Sequence, residues 1–231
     1  MSALLALAVT GPMFFGIDTD RTVRENRKKV YAYSDCVVKK HGADAEAAVL
    51  SVTDNATLVK TYPKILDEYC FTGFTDSMSF PADLLRFGLA DALYRKEFVR
   101  EPVLDPASIA PLAHRDPAPT PLILAGRDKA GDKKAYSREL FWLSVAVAYS
   151  QLSRMGECVI RANPASARAV LQTYPTSDDE TITMRSLNSS LGACLDTGNK
   201  MHLTKEALRG AIALNYYRMS KSRQLAPQVK E

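Results

Sequence analysis

With 231 residues, the chain is long enough for one large domain or two small ones. An apolar fraction of 46% excludes a disordered chain. A net charge of +4, with the cations scattered along the chain, excludes the dense basic surface of a dedicated nucleic-acid binder.

Residues 1–17 are apolar, and the first charge falls at Asp18. The stretch is too short to span a bilayer. It has the character of the central part of an export signal, but lacks a Lys or Arg start and a small-residue cleavage site. A start placed too far downstream produces this appearance; a buried or interfacial N-terminal helix is the other reading. The segment is therefore taken as signal-like or anchoring. An export signal predicts a periplasmic or secreted protein, and the alternative is a cytoplasmic one. Membrane contact is expected through residues 1–17 only.

Residues 18–40 read as a helix with Val23, Val30, Tyr33 and Val37 on one face. Arg21, Arg24, Arg27, Lys28 and Lys29 lie on the other and read as a solvated surface. Residues 43–50 form a short Ala-rich helix, and 58–69 a third helix leading to Cys70, with Pro63 disturbing its first turn. A last helix starts near Phe80, accepts Pro81 in its first turn and turns Leu85, Leu89, Ala92 and Leu93 inward. Together these make a helical unit over residues 18–98.

Residues 99–135 differ in kind. Half of the chain's twelve prolines fall between Pro102 and Pro121, followed by a charged, Gly-containing run. This is linker composition. The segment from Pro102 to Lys134 is expected to be the most protease-sensitive, and Leu122–Ala125 to dock as a short extended piece. A second helical unit occupies 136–220. Its first helix, 136–162, carries a seam of Phe141, Val145, Ala148, Leu152, Met155 and Val159, a pattern that predicts burial. Helices at 166–173, 178–194 and 204–219 follow, the last with Thr204 as N-cap. Asp178, Asp179 and Glu180 complement the dipole of their helix. The tail, 221–231, is polar and expected to fray.

The two units repeat one another. Ser34-Asp35-Cys36-Val37-Val38 corresponds to Gly156-Glu157-Cys158-Val159-Ile160, and Cys70 to Cys194. Residues 78–95 align with 201–218 without a gap, setting Arg86 against Arg209 and Tyr94 against Tyr217. The fold class follows: all-α, a tandem duplication of a four-helix, two-cysteine unit joined by a Pro-rich linker. The four cysteines are either two disulfides or four reduced core thiols. Their equivalent placement favours pairing Cys36 with Cys70 and Cys158 with Cys194 in an oxidising compartment. The two units are expected to share one core, with their first helices packed together. In both copies an acid precedes the aligned arginine by three residues, Asp83 before Arg86 and Glu206 before Arg209, a spacing that allows a helical ion pair.

Two Asp/Glu-Cys-Val-Val/Ile segments, each followed by a second Cys and a Leu-Arg…Tyr-Arg helix around a Pro-rich spacer, resemble a group of uncharacterised exported bacterial proteins. The resemblance covers most of the chain outside the linker, implies export and supplies no activity.

Catalytic chemistry is not legible. Cys36 with His41, or Cys194 with His202, would be partial metal sets, but neither histidine recurs in the other copy. No phosphate-cradling loop, nucleophile elbow or zinc-protease motif occurs. No catalytic residue, metal or cofactor is therefore expected. The leading expectation is a non-enzymatic exported structural or interaction protein with a protein partner or a second copy. One alternative is a small-ligand binder or enzyme with a site between the units, where Arg86, Arg209, Tyr94 and Tyr217 would converge. The other is a cytoplasmic adaptor with reduced thiols.

Overall fold

All regular structure in the computed structural model is helical, and it describes residues 21–71, 82–127, 131–195 and 203–225. The apolar N-terminal segment, Asp18, Asp20, Pro81, Lys129, His202 and the end of the tail lie outside the described residues. The first half contains α1 (Arg21–Lys40), α2 (Gly42–Leu50), α3 (Asn55–Thr61) and α4 (Ala82–Glu97). Pro63 does more than disturb a helix. It ends α3, and 3-10 turns at Pro63–Leu66 and Glu68–Cys70 carry the chain to the cysteine.

In the second half, α6 (Lys133–Ala162) is capped by Asp132, whose carboxylate accepts from Lys134 and Ala135 N–H. Asn163 ends α6 and caps α7 (Pro164–Gln172) through Ser166 N–H. The expected single helix at 178–194 is two, α8 (Asp178–Arg185) and α9 (Asn188–Cys194), broken at Ser186–Leu187. α10 (Lys205–Leu225) starts where Thr204 accepts from Ala207 N–H. It runs past the expected end because Lys221 pairs with Glu46 and Glu97 at 2.7 and 2.9 Å. The tail is therefore helical as far as Leu225.

Both disulfides form as expected, Cys36–Cys70 and Cys158–Cys194, closing loops of 34 and 36 residues. The last helices of the two halves, α4 and α10, make the centre of the molecule. α1 and α2 pack on α4, and α6 and α7 on α10. One apolar cluster includes Tyr33, Leu89, Leu93 and Tyr94 from the first half with Leu152, Ile212, Tyr216 and Tyr217 from the second. The core is shared, but α4 and α10 join the halves rather than the two first helices. Each half has one very close helix crossing. A Cβ on Gly88 would strike the Ser34 hydroxyl, and one on Gly156 would lie 2.5 Å from the Ala211 carbonyl oxygen.

The first part of the linker is strapped to the second half. Leu104, Pro106 and Ile109 are buried. Arg161 donates to the carbonyls of Pro106, Ile109 and Ala110 at 2.7, 3.1 and 3.0 Å, and Arg218 to that of Ala113 at 2.6 Å. Leu104 N–H donates to the Tyr216 hydroxyl at 3.1 Å. Proline-rich backbone that cannot pair with itself is thus satisfied by arginines from elsewhere. Leu122–Ala125 is not extended but lies in the short helix α5 (Pro121–Ala125), with Thr120 as cap and Ile123 buried.

Candidate functional site

Two groupings of polar side chains lie between the halves. The first is sealed. Arg209 is fully buried, and its Nε donates to Asp91 at 2.9 Å. Its Nη atoms reach Glu180 at 3.4 Å, the Val170 carbonyl at 2.8 Å and the Thr173 carbonyl at 3.0 Å. Glu180, also fully buried, takes Arg27 Nη2 on both oxygens at 3.0 Å, and Arg27 Nε pairs with Glu206. Asp91 continues the chain to Arg95 at 2.8 Å, and Arg95 reaches Asp35 at 2.7 Å. Thr176 adopts a φ of +72°, uncommon for a β-branched residue, and its N–H donates to Glu180 at 2.9 Å. Alternating charges thus tie α1 and α4 to α8 and α10, with Arg27, Asp91, Glu180 and Arg209 all buried.

Two expectations are corrected here. Arg27 is not on a solvated face but buried in this network. Arg209 pairs with Asp91 and Glu180 rather than with Glu206 three residues away.

The second grouping is open. A crevice of about 30 Å³ lies where the end of α2, α4, α6, α10 and the strap meet. It is lined by Arg86, His114, Arg115, Tyr149, Ser150 and Arg218, among others, and has space for a few waters or one small ion. Arg86 donates to the Thr53 carbonyl at 2.9 Å. Beside the crevice, Glu157 accepts from Leu112 N–H at 3.1 Å and Arg161 Nε at 2.8 Å, and meets His114 Nε2 at 2.6 Å. His114 Nδ1 lies 2.9 Å from the Ser153 hydroxyl. The Glu157 carboxylate only accepts, so Nε2 carries the proton of that contact, whereas the Ser153 hydroxyl can donate to Nδ1 or accept from it.

Burial pushes the His114 pKa down from 6.5, against the pull of Glu157. Burial would raise Glu157, yet Leu112 N–H, Arg161 and His114 hold its carboxyl below 4.5. Both shifts act in one direction. The unfolded chain binds more protons than the folded one as pH falls through these ranges, so stability is lost on acidification. The urea midpoint at about pH 5 is expected to lie below that at about pH 7.5, and His114→Gln should remove the part of that slope nearest neutrality. A midpoint unchanged over that interval would contradict the downward shifts of His114 and Glu157.

The four residues expected to converge do not share one cleft. Arg86 lines the crevice and Arg209 the sealed network. The Tyr94 ring packs edge-on against Tyr216, and Tyr217 against Phe98 with its hydroxyl 3.1 Å from Glu97. Burial pushes the Tyr94 phenol up to about 12 and raises Tyr217 too, so neither is a general base near neutrality. Sequence reasoning missed Asp91, Glu180, Glu157 and His114. Two of them carried a signal, Glu180 as the third acid of its triplet and Glu157 as the acid before Cys158, aligned with Asp35.

The seam of α6 is buried at Ala148, Leu152, Met155 and Val159 but not at its start. Phe141 is 57% exposed, against expectation, and Trp142 53%. Leu140, next in sequence, is exposed too, as is Leu124 of α5, a helix that packs on α6. No family model, curated protein or solved structure matches the chain. No helix among the described residues is long and apolar enough to cross a membrane. The two disulfides are compatible with an oxidising compartment.

Proposed function

We propose that this is a disulfide-braced, non-enzymatic exported protein that docks on an anionic membrane surface through the first turns of α6. The observation that carries the reading is three consecutive exposed apolar side chains, Leu140, Phe141 and Trp142, on a helix whose later turns are buried. Tryptophan and phenylalanine beside cations are suited to the boundary between headgroups and acyl chains. Arg127, Lys133, Lys134 and Arg138 are exposed around them. Among the described residues the same region holds two carboxylates, Asp132, which caps α6, and Glu139, which accepts from the Thr120 hydroxyl, so the four cations outnumber them. That excess of positive charge favours an anionic surface, at roughly 1 kcal/mol per cation, and disfavours apposition of a second copy by the same face. The resemblance to exported proteins agrees with this placement.

Trp142 is the only tryptophan, so its fluorescence reports the contact directly. Emission should shift to the blue on adding phosphatidylglycerol vesicles and far less on adding phosphatidylcholine vesicles. Phe141→Ser should weaken partitioning about tenfold, the effect of losing one large apolar contact. Unchanged emission and no co-flotation would overturn the reading, as would concentration-dependent dimerisation that buries Trp142.

The two halves are also read as copies of one unit. The equivalent disulfides support this, as do the crossings Ser34–Gly88 and Gly156–Ala211, which fall at aligned positions. Arg86 and Arg209 each donate to a carbonyl just beyond the second helix of their own half, Thr53 and Thr173.

A further inference from the structure

The strap is held by side chains from other elements rather than by regular structure of its own. Residues 102–116 contain one short turn, Pro106–Ser108, and bury Leu104, Pro106 and Ile109. Much of the remaining hold converges on Glu157 of α6. One of its oxygens accepts from Leu112 N–H at 3.1 Å and meets Arg161 Nε and Nη2 at 2.8 and 2.7 Å. The other takes His114 Nε2 at 2.6 Å. Arg161, fixed in this way, donates to the Pro106, Ile109 and Ala110 carbonyls. One carboxylate therefore organises the strap from Pro106 to His114, directly or through Arg161. Segments with few buried apolar side chains open at lower cost than packed helices.

The His114 and Glu157 side chains are only 5% and 8% exposed. Facing them are Tyr149, Arg154 and Arg161 of α6, Arg218 of α10 and, across the crevice, Arg86 of α4. The strap itself adds Arg115 and Asp116, the latter paired with Arg154. α5 and α9 also pack on α6 and carry no charged residue. α7 carries Arg168 alone, which holds the Val99 and Glu101 carbonyls where the strap begins. Burial disfavours a second proton on His114, and Arg218 and Arg154 oppose it further, against the pull of Glu157. Burial alone would ease a proton onto Glu157, but that proton costs the bonds from Leu112 N–H, Arg161 and His114. With the strap lifted, both groups meet water and take up protons at ordinary values. Acid therefore favours the lifted state, first through His114 below about 6.5 and then through Glu157 below about 4.5.

We propose that His114 and Glu157 form an acid-released latch, which lifts residues 104–116 from α6 and α10 as one unit while the helices stay folded. Lifting takes His114 and Arg115 out of the crevice wall and frees the Tyr216 hydroxyl from Leu104 N–H. The event is local and precedes the global loss of stability in acid. It does not depend on membrane docking, because it uses none of Leu140, Phe141 and Trp142.

Hydrogen exchange at single amides decides it, compared as protection factors so that the intrinsic pH dependence of exchange drops out. Leu112 N–H is bonded to the latch itself, and Leu104 N–H to Tyr216 at the far end of the strap. Between pH 7.5 and 5 both should lose protection together, about tenfold, while the amides of α10 keep theirs. His114→Gln, which keeps a side-chain N–H for Glu157 but does not titrate, should hold that protection nearly level over the interval. Glu157→Gln should show the low strap protection already at pH 7.5, where trypsin should cut it after Arg115 faster than the unsubstituted chain. Protection of Leu104 and Leu112 unchanged at pH 5 overturns the latch, whether or not the variants fold. A loss shared with α10 also overturns it, since that is global unfolding, and so does a loss at Leu112 alone. A full pH response in folded His114→Gln removes His114 from the device and overturns it equally.

Discussion

Replacing Arg209 with Met is expected to destabilise the protein by about 3–5 kcal/mol, the usual cost of removing one partner from a buried ion pair. The side chain is fully buried, and the substitution leaves Asp91 and Glu180 in the interior without their shared cation. Arg95 and Arg27 remain, but each already meets a second carboxylate, Asp35 and Glu206. Thr173 and Val170 also lose the donor to their carbonyls, at the point where α7 ends. Lysine is not a substitute, because one ammonium cannot reach carboxylates and carbonyls on several sides at once. Since a typical domain has about 5–15 kcal/mol in total, the variant should be near the limit of folding at 37 °C. Urea denaturation followed by circular dichroism measures it. A loss below about 1 kcal/mol would mean that the network relaxes to admit water, contrary to its sealed geometry.

The second large effect concerns the disulfides. Loops of 34 and 36 residues correspond to about 3–4 kcal/mol each in the chain-entropy description. Cys158→Ala with Cys194→Ala should be felt most in α9, a helix of seven residues that packs on α6 and is bonded to it through Cys194. Its amides should lose hydrogen-exchange protection before those of α10. Cys36→Ala with Cys70→Ala should loosen the 3-10 turns after α3 while leaving α9 unchanged. Thiol titration of denatured, unreduced protein gives the independent check. Four reactive cysteines would defeat the prediction, as would fragments linking the two halves in a peptide map.

The sequence carried the local part of this structure well. Thr204, Asn163 and Pro164 mark helix ends because capping is decided within a few residues. The pairings of the cysteines were visible because the segments around Cys36 and Cys158 could be set against each other in the sequence. What escaped was the matching of distant charges. Glu180 looks like any acid in a first turn, and only its meeting with Arg27 and Arg209 makes it a core residue. The prolines of residues 99–135 were read as linker composition, and nothing local shows that Arg161 and Arg218 would hold the backbone of that segment. Phe141 failed for another reason. A periodic apolar stripe says that a face avoids water, and not whether the cover comes from the same chain. The break in 178–194 has neither glycine nor proline at Ser186–Leu187, so no breaker announced it.

The disulfides join the first cysteine to the second and the third to the fourth. Four cysteines have three possible pairings, and this is the one that oxidation in order of synthesis produces. A chain that meets an oxidant from its N-terminal end would close Cys36–Cys70 before Cys158 emerged, with no wrong partner present. The second bond would then form between the only two thiols left. Under that condition the native connectivity would be reached without thiol–disulfide reshuffling, and maturation would call on an oxidase rather than an isomerase.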